Sequence, residues 1–393
     1  MTFLPKSWLD RRFSASTIRA ATSARVVNRY TPIETIAVPG LTGLVFDNIE
    51  RFVEAELPES FYQFLQQQAK HNRHREFILA TEIVRLARLF EANGIEYIFF
   101  KGPILSQLIY NTLGLRHSRD LDVLIRTEKV DSAVLVLTAN GYKIIDSLIP
   151  YSPRQKRYLE LYQKHYTCIN QETGNQLELH WRLMNTPAYL LPDFEQNAFA
   201  RAINVDFGGW KVRTFSHLDN FLYLCAHGAD HAWFRLKWLC DIAAAFRNPL
   251  LFDWESIAAA TMRNGLERPV AQAAELSERL LGSPIPQDLQ VTLRSADALL
   301  PMLIRSAERN ICMKETDINP RDGLKWAADL LTTRFYQMRL RKEWNYKLQA
   351  FTQLWVTMKD WDDLPLPDPL FFLYFLFRPF LWLRRYFAPG KKH

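Results

Sequence analysis

The sequence predicts an α+β protein in which a core with a small mixed sheet is followed by a mainly α-helical C-terminal domain. Three observations carry this. Short apolar or alternating runs at 95–100, 120–126, 142–146, 165–170 and 176–182 are separated by stretches of helical spacing. From residue 216 onward the spacing is helical almost throughout. The 393 residues are 48% hydrophobic and 23% charged with only 14 glycines. That composition describes a folded globular chain and excludes a fibrous or low-complexity one.

The elements follow in order. Residues 1–60 read as an N-terminal arm, basic and serine-containing, without the apolar stretch of a secretory signal. Phe61, Phe64, Leu65, Leu79, Ile83, Leu86, Leu89 and Phe90 recur at helical spacing up to a stop at Asn93-Gly94. IEYIFF (95–100) is β-rich, Lys101-Gly102-Pro103 turns, and ILSQLIY (104–110) continues as helix, with proline suited to its first turn. DLDVLIR (120–126) reads as a buried strand. Thr127 is expected to cap the next helix, which ends near Asn140-Gly141 and leads to a strand at about 142–146. HYTCIN (165–170) and QLELHWR (176–182) flank Glu172-Thr173-Gly174-Asn175, a hairpin turn. Ser216 with Asp219 opens the helical half, which continues around 268–281, 289–314 and 322–358. LPLPDP (364–369) breaks the chain before the aromatic segment 370–387. The expected units are the arm, a core at 61–185, a helical domain at 186–363 and an aromatic and basic tail at 364–393.

The net charge of +7, from 49 basic and 42 acidic side chains, favours polyanionic partners such as nucleotides, nucleic acid or an anionic membrane surface. Lysines and arginines are dispersed, however, so nucleic acid is not the favoured partner. Four cysteines form no CxxC pair, which fits a reducing cytoplasm.

Asp120-Leu121-Asp122 places two carboxylates on one face of a strand, and like charges that close need a cation. Oxygen donors of this kind suit magnesium, which keeps positions for water and substrate phosphate. Upstream, Gly102 ends a strand and opens a helix, where backbone N–H groups receive phosphate. Lys101, Arg116 and Arg119 add positive charge, and Glu178 in the later strand supplies a third acid with His180 and Arg182 on its face. Asp120, Asp122 and Glu178 thus make a candidate two-metal site for Mg2+, with Mn2+ as an alternative ion.

FFKGPILSQLIYNTLGLRHSRDLDVLI, LELHWRL and YLCAHGADHAWFRLKWLCDIA together resemble an uncharacterised nucleotidyltransferase family found in bacterial polysaccharide and modified-peptide gene clusters, a branch of the polymerase-β-like superfamily. The resemblance covers about residues 60 to 385. It implies a polymerase-β-like nucleotidyltransferase core, with Gly102, Asp120, Asp122 and Glu178 matching the superfamily's glycine turn and three acids. The implied reaction is attack of an acceptor hydroxyl on the α-phosphate of a nucleoside triphosphate, with pyrophosphate leaving. Pro103 stands where many members have a second Gly or Ser and has no N–H to donate, which shifts phosphate contact toward Lys101, Ser106, Arg116, Ser118 and Arg119. The Lys-Gly opening and Ser118-x-Asp120-x-Asp122 are also similar to toxins that modify transfer RNA, the alternative reading; a third is a catalytically inactive nucleotide-binding scaffold.

His227 and His231 stand at i and i+4, the spacing of helical zinc sites, but without the glutamate of the protease motif. Because the resembling family carries this block, His227, His231 and Lys237, with His180, are candidates for the acceptor cleft. The tail is interrupted by Arg378 and Pro379 and is no clean membrane span. It reads either as a helix docked on the protein or as an interfacial segment touching a membrane.

Overall fold

A computed structural model describes residues 41–52, 59–145, 152–248, 251–294, 298–312, 331–352 and 358–387. The N-terminal arm expected over 1–60 therefore lies largely outside the described residues; of the helical stretch expected over 322–358, residues 322–330 and 353–357 lie outside them, and the described part is interrupted at 338–343 before a helix resumes at 344. Helix α1 (Thr42–Phe52) packs on the long α2 (Glu59–Ala92), whose apolar stripe ends at Gly94 with a φ of 62°. Then come β1 (Tyr97–Phe100), α3 (Gly102–Tyr110), β2 (Asp120–Ile125), α4 (Val130–Ala139), β3 (Tyr142–Ile144), α5 (Pro153–Tyr162), β4 (His165–Asn170) and β5 (Gln176–His180). Thr127 does not cap α4; it opens a 3-10 turn, and its hydroxyl points to the Trp181 carbonyl.

The sheet does not end at β5. After α6 (Pro192–Arg201), strands β6 (Ile203–Phe207) and β7 (Trp210–Thr214) return to it, giving seven strands in the order β3-β4-β5-β2-β1-β7-β6. Strand β2 runs antiparallel to β1 and parallel to β5, while β4 and β5 form the antiparallel hairpin. The turn between them is held by the Asn170 side chain, which accepts from the N–H groups of Glu172 and Thr173 at 3.0 Å.

Alternation gives the sheet two apolar faces. On one, Leu121, Val123, Leu177 and Leu179 pack against Leu79, Ile83, Leu86 and Phe90 of α2 and Ala133 and Leu137 of α4. On the other, Ile98, Phe100 and Leu124 join a larger core with α3, α7 (His217–Asp230), α8 (Leu236–Phe246) and α10 (Glu267–Leu281). Each fully buried Leu, Ile or Phe contributes about 1.5–3 kcal/mol. That shared core ties α9 (Trp254–Arg263), α11 (Gln287–Arg294), α12 (Leu300–Cys312) and α13 (Trp344–Thr352) to the sheet.

The tail helix α15 (Leu373–Phe387) docks on α5 and α14 (Met358–Asp363) through Tyr374 and Arg378, and Leu381, one turn further on, is buried. The Tyr374 hydroxyl donates to the Leu364 carbonyl at 2.7 Å, and Arg378 pairs with the buried Asp360 at 2.6 Å. The opposite stripe, Phe372, Leu376 and Phe380, stays exposed. Among the described residues no helix is long and apolar enough to cross a membrane.

Candidate active site

The strand registers assemble the site. Phe100 lies opposite Asp122, Asp122 opposite Glu178, and His180 opposite His165, so all five side chains, with Asp120, point to the face that meets the helical half. On the other face the same strands are largely apolar, with Leu121, Val123, Leu177 and Leu179 in the core. Asp122 is buried; its Oδ1 accepts from the Lys101 ammonium at 2.8 Å and lies 3.1 Å from His180 Nε2. That same nitrogen is 3.1 Å from Glu178 Oε2, while His180 Nδ1 faces the Arg182 carbonyl at 3.2 Å. The ring packs edge-on against Phe100, with centroids 5.0 Å apart.

The electrostatics follow from this geometry. Burial raises the Asp120 carboxyl, and Asp122 and Glu178 beside it raise it further. Burial would raise Asp122 too, but Lys101 and His180 outweigh it and hold Asp122 well below the usual carboxylate range. Glu178 is also held down, burial being outweighed by its hydrogen bond to His180. Lys101 is partly buried, which disfavours its charge, yet Asp122, Tyr223 and Glu178 keep it firmly protonated. An ammonium thus stands where three carboxylates call for positive charge, and a divalent ion fits their demand.

Lys101 sits at the mouth of α3 with φ 57° and ψ −157°, a backbone region that ordinarily belongs to glycine. Gly102 follows at φ 50°, and a Cβ there would meet the Asp120 carbonyl oxygen at 3.4 Å, so the glycine lets the turn lie against the acidic strand. Ser118 is buried beside this turn, and Arg119 is exposed at the rim.

Two residues expected at phosphate are occupied elsewhere. The Ser106 hydroxyl is buried and donates to the Thr112 carbonyl at 2.8 Å. Arg116 is buried in an ion pair with Asp241 of α8 at 3.0 Å, where the Tyr110 hydroxyl also donates. Their chemistry is spent on holding the loop after α3 against the helical half.

The candidate acceptor residues divide. His180 lies beneath the carboxylates and is fully buried. His227 and His231 form an aromatic group with Tyr223 and Trp238; their rings are 4.7 Å apart, and His227 is stacked on Tyr223 at 5.5 Å. Burial, with Lys164 and Lys101 nearby, pushes the His231 imidazole down to about 3. The lysine side chain of Lys101 reaches over the Tyr223 ring at 5.6 Å, so this group adjoins the acidic face. Gly228, between the histidines, leaves room for the Trp233 ring, since a Cβ would come within 2.4 Å of it. Lys237 donates to the His117 carbonyl at 3.2 Å, and burial with Arg116 nearby pushes it down to about 7.

Sequence reasoning missed His165, Lys164, Tyr223 and Asp241. His165 was within reach, because the hairpin turn dictates the register that sets it opposite His180. Lys164 is pushed down by burial and by Lys101. Asp241 carried no signal, as its partner lies far away in the chain. Among the described residues, the His, Cys, Asp and Glu ligand atoms that converge as a potential metal-binding group, within 4.8 Å of one another, are those of His165, Glu178 and His180.

A mixed sheet with acids on adjacent strands, a glycine turn aimed at them and a helical half closing over that face define a transferase of phosphorus-containing groups. The chain belongs to a family of uncharacterised nucleotidyltransferases, whose model matches residues 32–282. A comparison with curated proteins finds no match.

Proposed function

We propose that the protein transfers a nucleoside monophosphate from a nucleoside triphosphate to a hydroxyl of a small-molecule, sugar or peptide acceptor, releasing pyrophosphate. The observation that carries this reading is the row of Asp120, Asp122 and Glu178 on one sheet face beside the Gly102 turn. Asp120 and Asp122 would hold Mg2+, with Glu178 completing the set; bound there, the ions supply charge stabilisation for the reacting phosphate and its leaving oxygens. Lys101, which pairs with Asp122, would meet the triphosphate together with the Gly102 turn, Ser118 and Arg119. Glu178, which stays ionised, takes the acceptor's proton. The aromatic group of Tyr223, His227, His231 and Trp238, with Lys237, lines the acceptor side.

The test is magnesium-dependent pyrophosphate release together with transfer of label from an α-labelled triphosphate to acceptor extracts. Asp120→Asn and Asp122→Asn should each lose about a hundredfold or more, roughly 3 kcal/mol of transition-state stabilisation. Transfer of the γ-phosphate alone, or undiminished transfer by the double variant, would sink the reading. Label appearing in transfer RNA would replace the acceptor class.

A further inference from the structure

The acidic face is chemically uneven. Asp120 and Asp122 contribute carboxylate oxygens, whereas the β4–β5 hairpin contributes two imidazoles and one carboxylate, with His180 Nε2 lying 3.1 Å from both Asp122 and Glu178. His165 Nδ1 is 3.7 Å from Glu178 Oε2, and His180 Nε2 is 3.1 Å from the same oxygen. Donors bound to one ion at about 2.0–2.2 Å lie roughly 3–3.5 Å apart; the two distances to Glu178 are close to this, and all three ligand atoms lie within 4.8 Å of one another, so the imidazoles would draw together around a common centre.

Two further features are those of a metal-binding pair of histidines. Nδ1 of His180 faces the Arg182 carbonyl, the outer hydrogen bond that orients a ligand imidazole, and Nε2 points at the carboxylates, where an ion would take the place of its proton. Nδ1 of His165 is shielded from solvent and makes no hydrogen bond, although it is aimed at Glu178. A buried polar nitrogen without a partner is costly, and an ion between it and Glu178 would satisfy it.

We propose that His165, Glu178 and His180 form a position for a first-row transition-metal dication of the Mn2+ or Zn2+ type, adjoining the carboxylates of Asp120 and Asp122. Imidazole nitrogens suit Zn2+ best, Mn2+ suits the carboxylate of the same set, and magnesium prefers oxygen alone. Three protein ligands leave positions open for water or a substrate oxygen. The inference rests on the nucleotidyltransferase reading to the extent that Glu178 serves both positions.

Metal binding is measured without nucleotide, by the loss of the free Mn2+ paramagnetic resonance signal and by calorimetry with Zn2+. The wild type should bind one Mn2+ that about a hundredfold excess of Mg2+ does not displace. His165→Ala and the milder His165→Gln should each weaken this binding at least about tenfold, with thermal melting close to wild type. Co2+ added to the wild type should give contact-shifted, exchangeable imidazole N–H resonances, a readout that needs no variant. Wild-type affinity in both His165 variants, displacement of Mn2+ by equimolar Mg2+, or absence of the shifted resonances would overturn the proposal. Failure of nucleotidyl transfer with intact Mn2+ binding would instead count against the proposed function alone.

Discussion

Arg116 and Asp241 meet at 3.0 Å with almost no exposure on either side, and the Tyr110 hydroxyl shares the carboxylate. Two charges removed from water are tolerated only while each has the other. Asp241→Ala strands the Arg116 guanidinium and should cost about 3–5 kcal/mol, read as a fall in the urea midpoint. A loss under about 1 kcal/mol would mean that water reaches Arg116 readily. From the sequence alone Arg116 reads as a phosphate ligand, because a cation near an acid-rich strand is recognisable while its partner in a distant helix is not. Asp120, Asp122 and Glu178 were legible for the opposite reason: strand alternation sets which side chains share a face, and that rule is local. His165 falls between these cases, visible only once the hairpin register is worked out.

Among the elements, the tail helix has two faces with different fates. Tyr374 and Arg378 dock on Leu159, Trp361 and Asp360, while Phe372, Leu376 and Phe380 face outward, the last two at 62% and 68% exposure. An exposed aromatic stripe near the exposed Arg384 is suited to the interface of an anionic membrane. The full chain should sediment with anionic vesicles, less so at high salt. Leu376→Ser with Phe380→Ser should weaken this about tenfold without changing the melting temperature. Equal sedimentation by the variant, or none by the wild type, would assign the stripe no membrane role. The sequence offered docking and membrane contact as alternatives for this segment; the helix geometry allows one face to each.

For the molecule as a whole, the larger core joins the sheet face bearing Phe100 to helices throughout the C-terminal half. Strands β6 and β7, beyond residue 185, complete the sheet next to β1. A fragment of residues 61–185 should therefore lack a cooperative thermal transition by circular dichroism, because it exposes the edge of β1 and the apolar face that α7 and α8 cover. A sharp melt near that of the full chain would contradict this. The sequence by itself determined the α+β class, the β-rich runs at β1, β2, β4 and β5, the glycine turn and the acids of the face. Each of these depends on spacing within one short segment, where periodicity and turn chemistry decide. Only the tertiary structure decided that β6 and β7 join the sheet and that Arg116 belongs to Asp241. Those outcomes depend on which distant segments bury one another's polar and apolar groups, a choice made by packing and desolvation across the whole chain.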